Sequence, residues 1–274
     1  MKFKQYSVLP GFGPTLGVTL LVVSLLVILP MSTLAVNSAS LGGTFFEKVF
    51  NARVWASLRI TFGTAFAAAF ANLFLGGVVA YALVRIDIPG KRVLDALVDL
   101  PFALPTAICG VAMVTMYAPT GPIGSLAAKL GIKIAFTPLG ITLALVFIGL
   151  PFVVRALQPA LIDLGTELED AAMSLVASRF TAWRRVIVPT LAPALATGFT
   201  LAFARGLGEY GTVIFIAGNM PMKTEITSLL IVTELEQFDY AAATAIALVM
   251  LSLSLVSIYA VNWFVGRRFR HARG

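Results

Sequence analysis

The chain has 274 residues, of which 59% are hydrophobic and only 12% are charged, and its mean hydropathy is +0.94. Soluble domains carry about 25% charged residues, so this composition indicates a multi-span membrane protein. The single cysteine, Cys109, excludes an internal disulfide, and the single histidine, His271, cannot form a metal site alone. The net charge of +7 could suggest nucleic acid, but the basic residues form no aromatic-interleaved patch, so no nucleic-acid partner is expected.

Six apolar windows are long enough to cross a bilayer, which requires about 20 mostly apolar residues. The predicted spans, in chain order, are Leu16–Val36, Leu58–Val84, Val93–Tyr117, Thr137–Leu157, Leu191–Ile216 and Tyr240–Val265. The sequence therefore predicts an all-α integral membrane protein with six transmembrane helices.

The first span has two interpretations. Lys2 and Lys4 precede it, and small residues near Ser32–Ala35 follow its apolar run, which is also the pattern of a cleaved signal peptide. The apolar run is long for a signal peptide, which favours a retained helix. Cleavage would leave five spans, each with the same orientation.

The basic residues set the orientation of the spans. With both termini in the cytoplasm, 13 of the 20 lysines and arginines lie inside, six lie outside, and Arg205 lies within a span. Cytoplasmic connections carry an excess of Lys and Arg, so this orientation is expected. The basic tail, residues 266–274, contributes most strongly to the imbalance.

A polar interruption at residues 158–189 separates two apolar segments. Its acidic residues precede its basic ones, the order that complements a helix dipole: Glu167, Glu169 and Asp170, then Arg179, Arg184 and Arg185. We predict two short helices on the cytoplasmic face, followed by a turn into the membrane at Pro189 and Pro193. Such helices either contact another protein or rest among lipid headgroups, and the residues alone leave both alternatives open.

This loop resembles the EAA loop of the permease subunits of ABC importers. That motif runs Glu-Ala-Ala, three residues, Gly, nine residues, Ile, one residue, Leu-Pro. The spacing matches fully, and the motif positions here hold Asp170, Ala171, Ala172, Val176, Val186, Val188 and Pro189. Val176 is the largest departure, because glycine permits close backbone approach and valine does not.

In that family the loop docks into a cleft of a cytosolic ATPase and transmits its closure to the spans. The resemblance therefore assigns an ATPase-coupling role to Glu169, Asp170, Ala171, Ala172, Val176, Arg184, Arg185 and Pro189. The only Gly-Lys pair, Gly90-Lys91, lacks the spacing of a phosphate-binding loop, so the ATPase is expected on a separate chain. We predict a transport subunit without a cofactor, and not an enzyme.

A second resemblance concerns the substrate. Residues 205–216 read RGLGEYGTVIFI and residues 218–225 read GNMPMKTE, which is similar to the T subunit of sulfate/thiosulfate permeases. Residues 100–106, LPFALPT, are typical of sulfate and molybdate permeases. The resemblance implies a type I ABC importer (MetI-like) fold in the bacterial inner membrane. It also implies a W-type permease partner, two copies of a cytosolic ABC ATPase and a periplasmic sulfate-binding protein.

The family resemblance extends from the second span to the sixth, and it suggests three regions. Residues 1–57 would hold the first helix and a periplasmic loop, residues 58–265 the ABC type-1 transmembrane domain, and residues 266–274 the tail. Two other classes stay open: a permease for another oxyanion such as molybdate, and an anion transporter driven by an ion gradient.

Arg205 and Glu209 are four residues apart in an apolar span and should share a helix face, which Thr212 would continue. Charges at membrane depth face each other or a cavity. Either the two residues form an ion pair that holds the bundle, or Arg205 lines an anion path with Thr212 as a neutral donor. Asp99 could neighbour Arg92 or Arg85, and it is assigned no function.

Overall fold

The computed structural model describes residues 12–87, 89–165 and 178–270, and the regular structure within these ranges is entirely helical. Two long helices each contain one π-helical turn, Ser24–Ile28 in the first and Trp183–Ile187 in the ninth. The helices, in chain order, are α1 (Phe12–Ser40), α2 (Thr44–Val49), α3 (Ala52–Arg85), α4 (Lys91–Val98), α5 (Leu100–Ala103), α6 (Thr106–Tyr117), α7 (Pro122–Lys129), α8 (Pro138–Leu164), α9 (Phe180–Leu207), α10 (Val213–Ala217), α11 (Thr227–Glu236) and α12 (Tyr240–Arg270).

Five of the helices in the described ranges are long and apolar enough to cross a membrane: α1, α3, α8, α9 and α12. The helices α6 and α7 pass the same test together and are bent by 42°, which gives six spans if the pair is one. The all-α prediction is confirmed, and the larger count equals the predicted six.

The predicted third span, Val93–Tyr117, is wrong in its boundaries, because three short helices cover it. Proline breaks the run: Leu104 is extended (φ −89°, ψ 136°) before Pro105, which disfavours helical geometry in the residue preceding it. Here the bent pair α6–α7 passes the length and hydropathy test for a span, and the short helices α4 and α5 do not.

The predicted fifth span, Leu191–Ile216, also differs from the structure. The helix α9 ends at Leu207, and Gly208–Thr212 separate it from α10. The predicted turn at Pro189 and Pro193 is wrong, since α9 runs through both prolines. The π-helical turn just before Pro189 shifts the hydrogen-bond pattern, with the Val188 N–H donating to the Trp183 carbonyl. This shift helps the helix to accommodate Pro189, which has no N–H to donate.

The helices α3, α8 and α9 form the core of the bundle. Val153 of α8 is fully buried between two glycines. A Cβ at Gly76 of α3 would lie 2.8 Å from its Cγ1, and a Cβ at Gly198 of α9 would lie 3.0 Å from its Cα. Small residues therefore let all three helices approach closely, as in other membrane bundles.

The first helix, α1, stands apart from this core. None of the residues in its most apolar window is buried, and its second half packs against α12, where Ser38 Oγ donates to the Thr244 carbonyl (3.4 Å). A helix at this position agrees with the predicted first span. That α1 is retained, and not cleaved as a signal peptide, stays a prediction.

Ion pairs mark one end of the bundle, where α3 and α12 begin; we call it the Arg53 end. Arg53 donates to both carboxylate oxygens of Glu225 at 2.6 and 2.8 Å, and Lys48 pairs with Asp239. The hydrogen bonds from Lys48 and from the Ala242 N–H lower the pKa of Asp239 below its ordinary value. At the opposite end, which we call the Arg85 end, Arg85 donates to the Gly165 carbonyl.

Candidate functional site

Two breaks in the helical structure lie side by side and define the candidate site. One is the Leu104–Pro105 break before α6, and the other is the stretch Gly208–Thr212 between α9 and α10. Thr212 Oγ1 donates a hydrogen bond to the Thr106 carbonyl at 3.0 Å, which joins the two directly. Irregular backbone at membrane depth needs protein partners or a cavity, and here Thr212 of one break supplies a partner to the Thr106 carbonyl beside the other.

Glu209 organises the second break. Its side chain is 2% exposed, its Oε1 accepts from the Thr212 N–H at 2.9 Å, and its Oε2 accepts from Arg205 Nη1 at 2.5 Å. One carboxylate thus holds the cation at the end of α9 and the backbone at the start of α10. The ion pair predicted from the spacing of four is present, although Glu209 lies beyond the end of the helix.

Arg205 and Thr212 have different environments. The Arg205 side chain is 32% exposed, and among the described residues its only partner is Glu209, so its other guanidinium N–H groups bond to no described residue. Thr212 is fully buried and its hydroxyl is used by the Thr106 carbonyl. The predicted common helical stripe is absent at this point, since α9 ends at Leu207, and Arg205 is the accessible donor.

The sequence analysis assigned no role at this site to two glycines that shape it, Gly211 and Gly110. A Cβ at Gly211 would lie 2.1 Å from Thr106 Oγ1, and one at Gly110 would lie 2.7 Å from both the Phe215 ring and the Thr212 carbonyl. These contacts require glycine at both positions. Pro105 and the glycine-rich stretch were visible signals of breaks, but nothing in the sequence paired them.

Residues 218–225, which follow α10, fold into a compact turn at the Arg53 end. The Met220 carbonyl accepts hydrogen bonds from the N–H groups of Lys223, Thr224 and Glu225 at 2.9–3.1 Å. Glu225 is 1% exposed and is neutralised by Arg53 of α3. The turn is therefore fixed to the start of a spanning helix.

Most of the predicted coupling loop lies outside the described residues, namely Glu169, Asp170, Ala171, Ala172 and Val176. The described part is helical: α8 continues to Leu164 and α9 begins at Phe180, so helix covers both ends of the range 158–189. Arg184, Arg185 and Pro189 lie on α9 and are exposed. They are placed where a partner could reach them, and their coupling role stays a prediction.

A multi-span helical bundle whose interrupted helices meet at membrane depth is the architecture of membrane transport proteins. Comparison with known families makes the class definite. The chain belongs to the family described as "Binding-protein-dependent transport system inner membrane component", whose model matches residues 72–270.

Curated relatives agree over nearly the whole chain. It is 44% identical over 268 residues to the sulfate transport system permease protein CysT of Escherichia coli, covering 97% of both chains. It is 46% identical to the CysT protein of Synechocystis over 257 residues, covering 92% of this chain and 89% of that one. The resemblance to the permease T subunit is confirmed, and these relatives are named as transport permeases, as the prediction of a transport subunit requires.

Solved structures share the fold. A bacterial ABC transporter involved in alginate import matches with a TM-score of 0.75 at 16% identity, covering 93% of this chain and 94% of that one. The MetNI methionine ABC transporter matches with a TM-score of 0.52 at 21% identity, covering 80% and 93%. The predicted ABC importer permease fold is confirmed.

Proposed function

We propose that this chain is a membrane-spanning permease subunit of an ATP-driven importer of sulfate and thiosulfate. The observation that carries the proposal is its 44% identity, over 97% of its length, to a protein named as a sulfate transport system permease. The chain forms half of the translocation pore and pairs with a W-type permease. Two copies of a cytosolic ABC ATPase and a periplasmic sulfate-binding protein complete the transporter in the bacterial inner membrane, with both termini of this chain in the cytoplasm.

The candidate anion path passes Arg205. Its guanidinium is partly accessible, and Glu209 uses only one of its nitrogens among the described residues. A cation that is already paired with one carboxylate suits a conduit, because an anion that is bound too tightly cannot leave. Selectivity for sulfate then resides mainly in the binding protein, and the pore supplies a weak, transient contact.

Coupling to the ATPase is assigned to the loop 158–189. Glu169, Asp170, Ala171, Ala172 and Val176 would enter the ATPase cleft, while Arg184, Arg185 and Pro189 extend the contact along α9. Because α9 ends at the candidate anion path, a displacement of the loop reaches Arg205 through one helix. The tilt of that helix would switch access from outside to inside.

The test is sulfate uptake into liposomes that carry this chain with a W-type permease and the ATPase. ATP is present on the ATPase side, binding protein is outside, and molybdate serves as competitor. We expect ATP-dependent sulfate uptake that thiosulfate inhibits strongly and molybdate inhibits little. Strong inhibition by molybdate would contradict selectivity for sulfate and indicate a general oxyanion permease. Uptake that follows an ion gradient and ignores ATP would contradict it.

A further inference from the structure

A polar cluster at the Arg85 end uses the whole guanidinium of Arg155. Its Nε donates to Asp99 at 2.9 Å and Nη2 donates to the other oxygen of that carboxylate. Its Nη1 donates to Asp95 Oδ1 at 2.7 Å and to Gln158 Oε1 at 2.5 Å, and Nη2 also reaches the Asp95 carbonyl at 3.1 Å. All five N–H groups that an arginine possesses therefore have acceptors.

The cluster joins two helices, α8 and α4, that make few other contacts with each other. Arg155 and Gln158 lie on α8, whereas Asp95 lies on α4 and Asp99 follows it directly. Of the residues of α4, only Val98 is buried, and its apolar residues Val93, Leu94 and Leu97 are exposed. Besides the packing of Val98 into the core, the guanidinium of Arg155 is what ties α4 to the bundle. The sequence suggested Arg92 or Arg85 beside Asp99, but the structure places Arg155 there.

The chemistry of the cluster favours positioning over stability. The side chains of Arg155, Asp95 and Asp99 are 33%, 42% and 45% exposed, and ion pairs so exposed stabilise a fold only weakly. A planar fork that grips two carboxylates fixes direction well, which a lysine could not do. Hydrogen bonds from Gln158 and Arg155 lower the pKa of Asp95, so its carboxylate stays charged at neutral pH.

The place of the cluster in the chain gives it a mechanical role. From Arg155, α8 continues to Leu164 and leads into residues 166–177, which hold most of the proposed coupling motif. From Asp99, the short helix α5 leads to the break at Pro105 and to Thr106, whose carbonyl is bonded to Thr212. The Phe102 ring of α5 also packs edge-on against Phe152 of α8 at 5.1 Å.

We propose that Arg155 is a positioning residue that makes α4 and α5 move together with α8, so that a displacement of the coupling loop reaches the broken helices at the candidate anion path. This inference rests on the proposed function. In this proposal Arg155 acts through Asp95 and Asp99, and not by touching the substrate or the ATPase. Loss of the Arg155 side chain uncouples ATP hydrolysis from transport, while the permease and the ATPase continue to fold.

The experiment uses the complete reconstituted transporter and compares wild type with Arg155→Gln and Arg155→Lys. Sulfate uptake and ATP hydrolysis are measured together, with the melting temperature of each complex. We expect Arg155→Gln to lower sulfate transported per ATP about tenfold while hydrolysis stays within about twofold of wild type. Arg155→Lys should give an intermediate ratio, because it keeps the charge and loses the fork.

The control is Lys48→Met, which removes a comparably exposed ion pair with Asp239 at the Arg53 end and should leave the ratio unchanged. If Arg155→Gln fails to assemble, Asp95→Asn carries the test, since it leaves the Asp99 pair in place.

An unchanged ratio in the Arg155 variants, or uptake and hydrolysis that fall in parallel with the melting temperature, would overturn the inference. These results are distinct from failure of the proposed function, in which wild type itself shows no ATP-dependent sulfate uptake.

Discussion

At the scale of single residues, variants of Arg205 can distinguish a structural role of this side chain from a role in transport. We expect Arg205→Ala to abolish most sulfate uptake, because it removes the accessible cation of the candidate path. It should also destabilise the chain by about 3 kcal/mol, since it leaves the buried Glu209 carboxylate without its partner. Uptake and melting temperature in detergent measure the two effects.

The double variant Arg205→Ala/Glu209→Gln distinguishes the two roles. Neutralising Glu209 removes the unpaired charge, so the melting temperature should recover toward wild type. If Arg205 serves the anion, uptake stays low in the double variant. Recovery of uptake together with stability would mean that the ion pair only holds the break together.

The Lys48–Asp239 pair predicts a pH dependence of stability at the Arg53 end. The folded pKa of Asp239 is lowered, so its contribution is complete above the unfolded aspartate pKa of about 3.9 and is lost as pH falls through the folded value. We expect Asp239→Asn to melt below wild type near pH 7 and to converge with it in acid. Lys48→Met should behave alike. A gap that does not change with pH would contradict the assignment.

The sequence could predict one residue pair at the site but not the rest. Arg205 and Glu209 are four residues apart, and their pairing survives the end of the helix because the spacing alone brings them close. The bond between Thr212 and Thr106 joins residues 106 positions apart, and no local pattern contains it. The same holds for Arg155 and Asp99, which are 56 positions apart.

At the scale of helices, neighbouring glycines of α3 make a matched experiment. A Cβ at Gly76 would lie 2.8 Å from the buried Val153 side chain, whereas one at Gly77 meets nothing within 4 Å. We expect Gly76→Ala to destabilise the bundle by about 1–3 kcal/mol through overpacking. Gly77→Ala should be neutral or stabilise by up to about 1 kcal/mol through helix propensity.

Thermal melting in detergent measures both variants. Equal effects of the two alanines would show that α3 and α8 do not meet at the Gly76–Val153 contact. Since the two variants differ by a single position on one helix, expression and detergent effects cancel between them.

Hydropathy predicted where helices cross but not where they are interrupted. The spans around α3, α8 and α12 were located to within seven residues at each end, because long apolar runs there coincide with long helices. The third and fifth were misplaced, since the apolar run continues through the breaks at Pro105 and Gly208. Pro105 and the glycines near Gly208 signal these breaks locally, but the hydrogen bond from Thr212 to the Thr106 carbonyl that joins them lies between distant segments, which composition does not record.

At the scale of the whole molecule, the proposed coupling role of the loop predicts that a change in it uncouples ATP hydrolysis from transport. Asp170→Lys reverses the charge at the position that matches the glutamate of the EAA motif, so the loop should no longer seat in the ATPase cleft. We expect ATP-dependent sulfate uptake to fall by at least tenfold in reconstituted transporter, with normal membrane insertion. Glu47→Lys, an exposed charge reversal at the Arg53 end, is the control. Normal uptake by Asp170→Lys would remove the coupling role from this loop.

The isolation of α1 constrains how the chain is made. The helix α1 is synthesised before its hydrogen-bond partner on α12, which lies 206 residues later, from Ser38 to Thr244. If α1 is retained, as we predict, it must remain in the bilayer without that partner while the intervening segments are made. The exposed large apolar residues of α1, such as Leu20, Leu26 and Ile28, suit that interval, because lipid can solvate them. The contact between α1 and α12 can therefore form only late in the synthesis of this subunit.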